Sequence, residues 1–194
     1  DDLAQTPNLT KLLTVSKPEA AMLICPNDAK IKTTKDLSDK ITIYVGSDQT
    51  GSAFTLNQIK DKVPGLSKAV INDTQATMVA SNLVKDSKDK CLFTVTSPEH
   101  PAIMELDKSG KAQMVEISPV QGYKTVNVDM SHYKNLTNPD FTHRTGFMWL
   151  SKEGGTDSIG VTTSLLAPQT WIDQNKQLFD LLLLERVNLQ SSIR

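Results

Sequence analysis

Residues 41–52, Ile-Thr-Ile-Tyr-Val-Gly-Ser-Asp-Gln-Thr-Gly-Ser, constrain the fold more than any other part of the chain. A run of strand-forming residues breaks at Gly46 into small polar residues. An amphipathic helical pattern of Ala53, Leu56, Ile59 and Val63 follows at once and stops at Pro64-Gly65. The unit then repeats. Residues 68–71 form a short strand pattern, and Ala76, Val79, Ala80, Leu83 and Val84 fill one helical face, with Asp73 or Thr74 as the expected cap. Residues 91–95 give the next strand. Ser97-Pro98 reads as N-cap and first-turn proline, and Ala102, Ile103 and Leu106 carry a helix towards Gly110. Residues 114–117 close the series. Strands alternating with helices in this way predict an α/β fold with a parallel-type sheet.

Such sheets bind ligands at the carboxyl ends of their strands. Here those ends read 46–52, 72–74, 94–97 and 118–123, all rich in Ser, Thr, Asn and Gln. A strand that ends in Gly46 and opens a helix near Gly51 aims unpaired backbone N–H groups at one spot. Hydrogen bonds and the helix dipole then favour a small anion there. Tyr123, beside Gly122, is the aromatic best placed to line such a site; Tyr44, Trp149 and Trp171 are expected mainly in the core.

Nothing in the pattern provides chemistry. Gly46-x-x-x-x-Gly51-Ser52 nearly matches a phosphate-binding P-loop, but Ser52 stands where that motif needs lysine, so nucleotide hydrolysis is not expected. His100, His132 and His143 form no metal-ligand spacing, and no metal or cofactor is expected. There is no G-x-S-x-G elbow, and neither Cys25 nor Cys91 has a base nearby. Both cysteines sit in apolar, strand-like runs. Two buried thiols is the reading favoured by composition, with a disulfide open outside the cytosol. Net charge is −1, and only three of the 21 basic residues are arginine (Arg144, Arg186 and Arg194), which argues against a nucleic-acid partner. No segment approaches the roughly 20 apolar residues of a membrane span. Three Asn-x-Thr sequons, at Asn8, Asn72 and Asn135, are given no weight in a chain rich in Asn and Thr.

Beyond residue 122 the pattern is less regular. Residues 123–130 and 147–150 read as strands, Asn138-Pro139 as a turn, and 158–166 as either strand or helix. Residues 171–187 read as one helix with Ile172, Phe179, Leu182, Leu183 and Val187 on one side.

The run from Val15 to Ser52 resembles extracytoplasmic solute-binding proteins of the type II periplasmic fold, and within them the TAXI receptors of TRAP transporters. Residues 31–40, Ile-Lys-Thr-Thr-Lys-Asp-Leu-Ser-Asp-Lys, are similar to that family's I-K-S-L-x-D-L-K-G-K, with Asp39 where the family has Gly. Residues 45–52 are similar to its V-G-x-x-x-S-G-T, residues 89–101 to a following strand and helix, and residues 159–167 to the strand returning to the first lobe. The resemblance implies one largely complete lobe and part of a second: 1–33 in the first lobe, 34–155 as the ligand-binding lobe, and 156–194 as the return with a C-terminal helix. It implies a non-enzymatic binding protein for a small organic acid or amino acid, periplasmic or secreted, feeding a membrane transporter. A sensory or protein-interaction module is the alternative. Ser47, Gln49, Thr50, Gly51 and Ser52 would hold the ligand's carboxylate, with Thr94, Thr96 and Tyr123 in the same cleft. The start at Asp1-Asp2 without Met fits a trimmed chain or a mature one whose signal peptide has been removed.

Overall fold

The structure, a computed structural model, describes residues 9–14, 19–137, 155–162 and 164–191. The expected turn at Asn138-Pro139 and strand at 147–150, with His143 and Trp149, lie outside the described residues. The chain divides into two compact units: Glu19–Val161, and a second made of Asp1–Pro18 with Thr162–Arg194.

In the larger unit, β3 (Thr42–Tyr44), β4 (Val70–Asn72) and β5 (Lys90–Thr96) pair in parallel, in the order β4-β3-β5. Each is followed by a helix: α1 (Gly51–Ile59), α2 (Thr77–Lys85) and α3 (Pro101–Ser109). The α/β class expected from the sequence is therefore present. The fourth strand of the series, β6 (Ala112–Val115), does not adjoin β5, however. Between them lies β2 (Glu19–Pro26), antiparallel to both, so that β3, β4, β5 and β6 share one direction and β2 opposes them. Further along, β7 (Lys124–Asp129) and β8 (Gly155–Val161) form an antiparallel pair joined to the start of β2.

The compact units divide at 18/19 and 161/162, so β2 and β8 both belong to the larger one. The reason is burial: β2 is buried on both faces from Ala20 to Pro26, as a strand inside a two-sided sheet must be.

Alternation sorts these strands into two cores. Ala21, Leu23, Cys25, Ile43, Cys91 and Phe93 face Ala53, Leu56 and Ile59 of α1, with Leu66. Ala20, Met22, Ile24, Leu92 and Met114 face Ala80 and Val84 of α2 and Ile103 and Leu106 of α3. The unit is thus a sheet with α1 on one face and α2 and α3 on the other. Gly65 shows how closely the connection after α1 packs. It adopts φ +94, and a Cβ there would lie 1.9 Å from the Thr34 carbonyl oxygen.

The cysteines are joined rather than free. In the β2–β5 register Ile24 stands opposite Leu92, which sets Cys25 opposite Cys91, and the two form a disulfide within the first core.

In the smaller unit β1 (Leu9–Thr14) pairs antiparallel with β9 (Ser164–Pro168), followed by α4 (Gln169–Gln174) and α5 (Lys176–Ser191). Of residues 158–166, ambiguous in sequence, 158–161 thus end β8 and 164–166 begin β9. The single helix expected over 171–187 is broken at Asn175, whose side-chain amide donates to the Trp171 carbonyl oxygen at 2.8 Å and whose φ/ψ of −123/37 leaves the helical region. Ile172 is buried with Ala167, against Trp171 and Phe179.

Candidate functional site

Because β3, β4 and β5 are parallel and each feeds a helix, the N-termini of α1, α2 and α3 all lie at one end of the sheet. Their dipoles add to a positive potential there. The three starts differ in how their free amides are satisfied.

At α1, Thr50 is the N-cap. Its hydroxyl accepts from Ala53 N–H at 3.2 Å and donates to the Ser47 carbonyl at 2.8 Å. Among the described residues, the Gly51 and Ser52 amides meet no acceptor. Gly46, at φ +86, lets the chain leave β3 sharply, and a Cβ on it would sit 3.3 Å from Thr50 Oγ1 and 3.4 Å from Thr77 Oγ1. The start of α2 therefore lies beside the same turn. Its N-cap is Ala76, with no side-chain bond, and among the described residues the amides of Thr77, Met78 and Val79 meet no acceptor either. The expected caps are engaged elsewhere or absent: Asn72 Oδ1 accepts from both the Thr74 amide and the Thr74 hydroxyl, and Asp73 makes no bond to the helix. At α3 the cap is His100, not Ser97, and the first-turn proline is Pro101, not Pro98.

Of the eight residues expected at the site, Ser47, Gln49, Thr50, Gly51 and Ser52 share the turn into α1, and Thr94, Thr96 and Tyr123 stand on other segments. Ser47 and Gln49 are exposed in the turn, and Gly51 is exposed with open space around a notional Cβ. Thr50 spends its hydroxyl on the cap. Ser52 turns its hydroxyl inward, where it accepts from Val95 N–H at 2.9 Å and ties α1 to β5. Thr94 is only 3% exposed and alternates with Phe93, which sets it on the α2–α3 face, opposite α1. Thr96 has the same parity and is half-buried at the strand end. Tyr123 packs against the first core and lies under Lys62, whose Nζ is 5.7 Å from the ring centroid. Its neighbour Lys124 stands in one row with Gly160, Ala20 and Thr96 across the sheet, while Lys62 lies just past the C-terminal end of α1.

Sequence reasoning missed Thr77 and the bare start of α2. The signal for them was negative: Gln75-Ala76 offers no capping oxygen at the position the helix uses.

Asp48 and Asp73 are both exposed on the turns at this end. The arrangement combines free amides with nearby negative charge, which suits a singly charged or zwitterionic acid better than a polyanion. A cavity of about 300 Å³ opens at the other end of the sheet instead, lined by Pro26, Asn27, Lys85 and Lys111 among others. There the C-termini of α2 and α3 point outward, and Lys85 and Lys111 pair loosely with Glu105 and Asp86 at 4.0 and 3.7 Å. These lysines complement two helix C-termini and need no ligand to explain them. Among the described residues there is no cluster of three or more His, Cys, Asp or Glu side chains suited to a metal, and no helix is long and apolar enough to cross a membrane.

No protein-family profile matches the sequence, and no curated protein matches it. Among solved structures, the chain is similar to a protein from Bordetella bronchiseptica RB50 at 13% identity and a TM-score of 0.52, over 96% of this chain and 49% of that one. It also aligns with the substrate-binding protein of an amino acid ABC transporter (11% identity, TM-score 0.47, 94% of this chain and 59% of that one). A third match is a histidine kinase sensor domain with similarity to periplasmic binding proteins (9%, 0.42, 98% and 67%). The chain spans about half to two thirds of these proteins' length. The first similarity supports a shared fold.

Proposed function

We propose that the larger unit is the ligand-binding lobe of an extracytoplasmic receptor for a small carboxylic or amino acid, non-enzymatic and of the type II periplasmic class. The observation that carries this reading is the pair of unsatisfied amides at Gly51 and Ser52, set beside the uncapped start of α2. A carboxylate supplies the acceptors these groups lack, and two helix N-termini favour its charge. The buried Cys25–Cys91 disulfide supports an oxidising compartment. The sequence resemblance to TAXI receptors makes a TRAP-type transporter the partner we assign.

A protein-interaction or sensory role is the second reading. It is favoured by Phe54, Met78 and Val79, apolar side chains left exposed on the first turns of α1 and α2.

Thermal denaturation against a panel of monocarboxylates, dicarboxylates and amino acids tests the first reading. A ligand at about 100 times its Kd adds about 2.7 kcal/mol, which raises Tm by roughly 5–10 °C for a chain of this size. Gly51→Val, which fills open space in the free protein, should abolish that rise while leaving the unliganded Tm nearly unchanged. A panel without a single stabilising compound overturns the receptor reading. A ligand whose effect survives Gly51→Val removes this turn from the site.

A further inference from the structure

The cap of α3 is an imidazole. His100 Nδ1 lies 3.2 Å from Ala102 N and accepts its hydrogen. A backbone amide only donates, so the bond requires a lone pair on Nδ1 and hence a neutral ring. The usual capping residues, Ser, Thr, Asn and Asp, keep their acceptor across the physiological range. An imidazole does not: protonation turns Nδ1 into a donor aimed at another donor, and it sets a positive charge against the positive end of the helix.

From these contacts we infer that His100 is a pH-sensitive latch, which holds the first turn of α3 when neutral and releases it when protonated. On its own segment the neighbour is Glu99. The packed segment 133–136 contributes Tyr133, whose hydroxyl donates to the Pro98 carbonyl at 3.2 Å, and Lys134. Asp107 of α3 is committed to the Asn135 and Leu136 amides. From α2, Lys85 reaches only Glu105, more than a turn further along α3. β6 carries no titratable side chain. No ion pair within 4.0 Å joins His100 to a described residue.

The latch sits where release matters. The turn 97–100 leaves β5 directly after Thr96, and β5 is tied to the first turn of α1 through Val95 and Ser52. Acid therefore loosens the first turn of α3, at the end of the sheet that carries the free amides, independently of whether a ligand binds there.

Amide hydrogen exchange with NMR on the full chain tests this. After correction for intrinsic rates, protection of Ala102 and Ile103 should fall about fivefold between pH 8 and pH 5, the change expected for losing a cap of about 1 kcal/mol. His100→Asn, an acceptor at every pH, should flatten that dependence, whereas His132→Gln should leave it intact. Should His100→Asn fail to fold, the Ala102 amide shift in the unmodified chain serves instead, and it must titrate with the same midpoint as the His100 ring. Protection that stays constant over this range, pH dependence that persists in His100→Asn, or separate midpoints for ring and amide each overturns the latch.

Discussion

Replacing Cys25 and Cys91 together by alanine tests the assembly of the larger unit at its centre. The two residues are 66 positions apart, and the closed segment contains β3, α1, β4 and α2. Cross-linking a loop of that length removes entropy from the unfolded chain. The chain-entropy relation puts the contribution at about 4 kcal/mol at 25 °C. Both positions are fully buried, so loss of the sulfur atoms from the first core adds a smaller packing cost on top. Against the 5–15 kcal/mol that ordinary domains possess, this is a large fraction. Urea denaturation followed by far-UV circular dichroism measures it. The double variant should unfold at a much lower midpoint and with a steeper slope, because the uncrosslinked denatured chain exposes more surface. Adding reductant during unfolding should bring the parent protein to nearly the same midpoint, since the buried bridge becomes reducible once the chain opens. A loss below about 1 kcal/mol, or a parent protein indifferent to reductant while the variant is destabilised, would refute the argument. The bridge would then matter only as packing.

Asp107 is 4% exposed, and its carboxylate accepts from the Asn135 and Leu136 amides, both at 2.8 Å. Burial is the largest influence and raises its pKa, but the amides of Asn135, Leu136 and Lys134, with the Lys134 charge, together outweigh it. The net result lies below the ordinary value of 3.8. A carboxyl depressed in the folded state adds stability above its unfolded pKa, and that stability is lost as pH falls through the folded one. Asp107→Asn should therefore cost about 1.5–3 kcal/mol at pH 7, and its deficit relative to the parent should shrink as pH falls below about 4. A deficit equal at pH 7 and pH 3 by urea titration contradicts this. Lys30 is the sole described non-glycine residue with positive φ, at 55°, so Lys30→Gly should raise the urea midpoint by about 1 kcal/mol of stability; a fall would show that its side chain is held. Gly65→Ala is the converse. With φ +94 and a notional Cβ 1.9 Å from the Thr34 carbonyl oxygen, it should cost about 3 kcal/mol or more, and a neutral result would mean that the two segments can separate.

The parts of this fold legible in sequence are those written in local periodicity. Leu56 and Ile59, Ala80 and Val84, and Ile103 and Leu106 all face a core, as their spacing predicted. What stayed hidden was pairing between distant segments. Cys25 sits in an apolar, strand-like run, but nothing local states that β2 wedges between β5 and β6 and runs against both, or that Cys25 meets Cys91. A disulfide is a statement about register, and register across some seventy residues leaves no trace in composition. The start of α3, by contrast, was decidable. Ser97 is a better cap than His100 by type, but a helix beginning at Pro98 would place Pro101 where the first intrahelical amide is needed. Proline has none, so the helix starts at Pro101 and the residue before it becomes the cap by default.

The same reasoning explains why the site was half visible. Gly46 and the helix start at Gly51 followed from the strand-to-helix switch. The hydroxyls nearest to them, however, are recruited by the fold itself: Thr50 caps its own helix, Ser52 fastens α1 to β5, and Thr74 is held by Asn72. A sequence shows which side chains are able to accept or donate near a turn but not which of them the backbone has already taken. At the first turns of α1 and α2 the recruitment stops short of completion, which leaves the amides of Gly51, Ser52, Thr77, Met78 and Val79 without internal partners among the described residues. If this end of the sheet recognises a ligand, main-chain groups do it. Side-chain substitutions at Thr50 and Ser52 should then act through stability, and only a change that covers the amides, such as Gly51→Val, should act on binding.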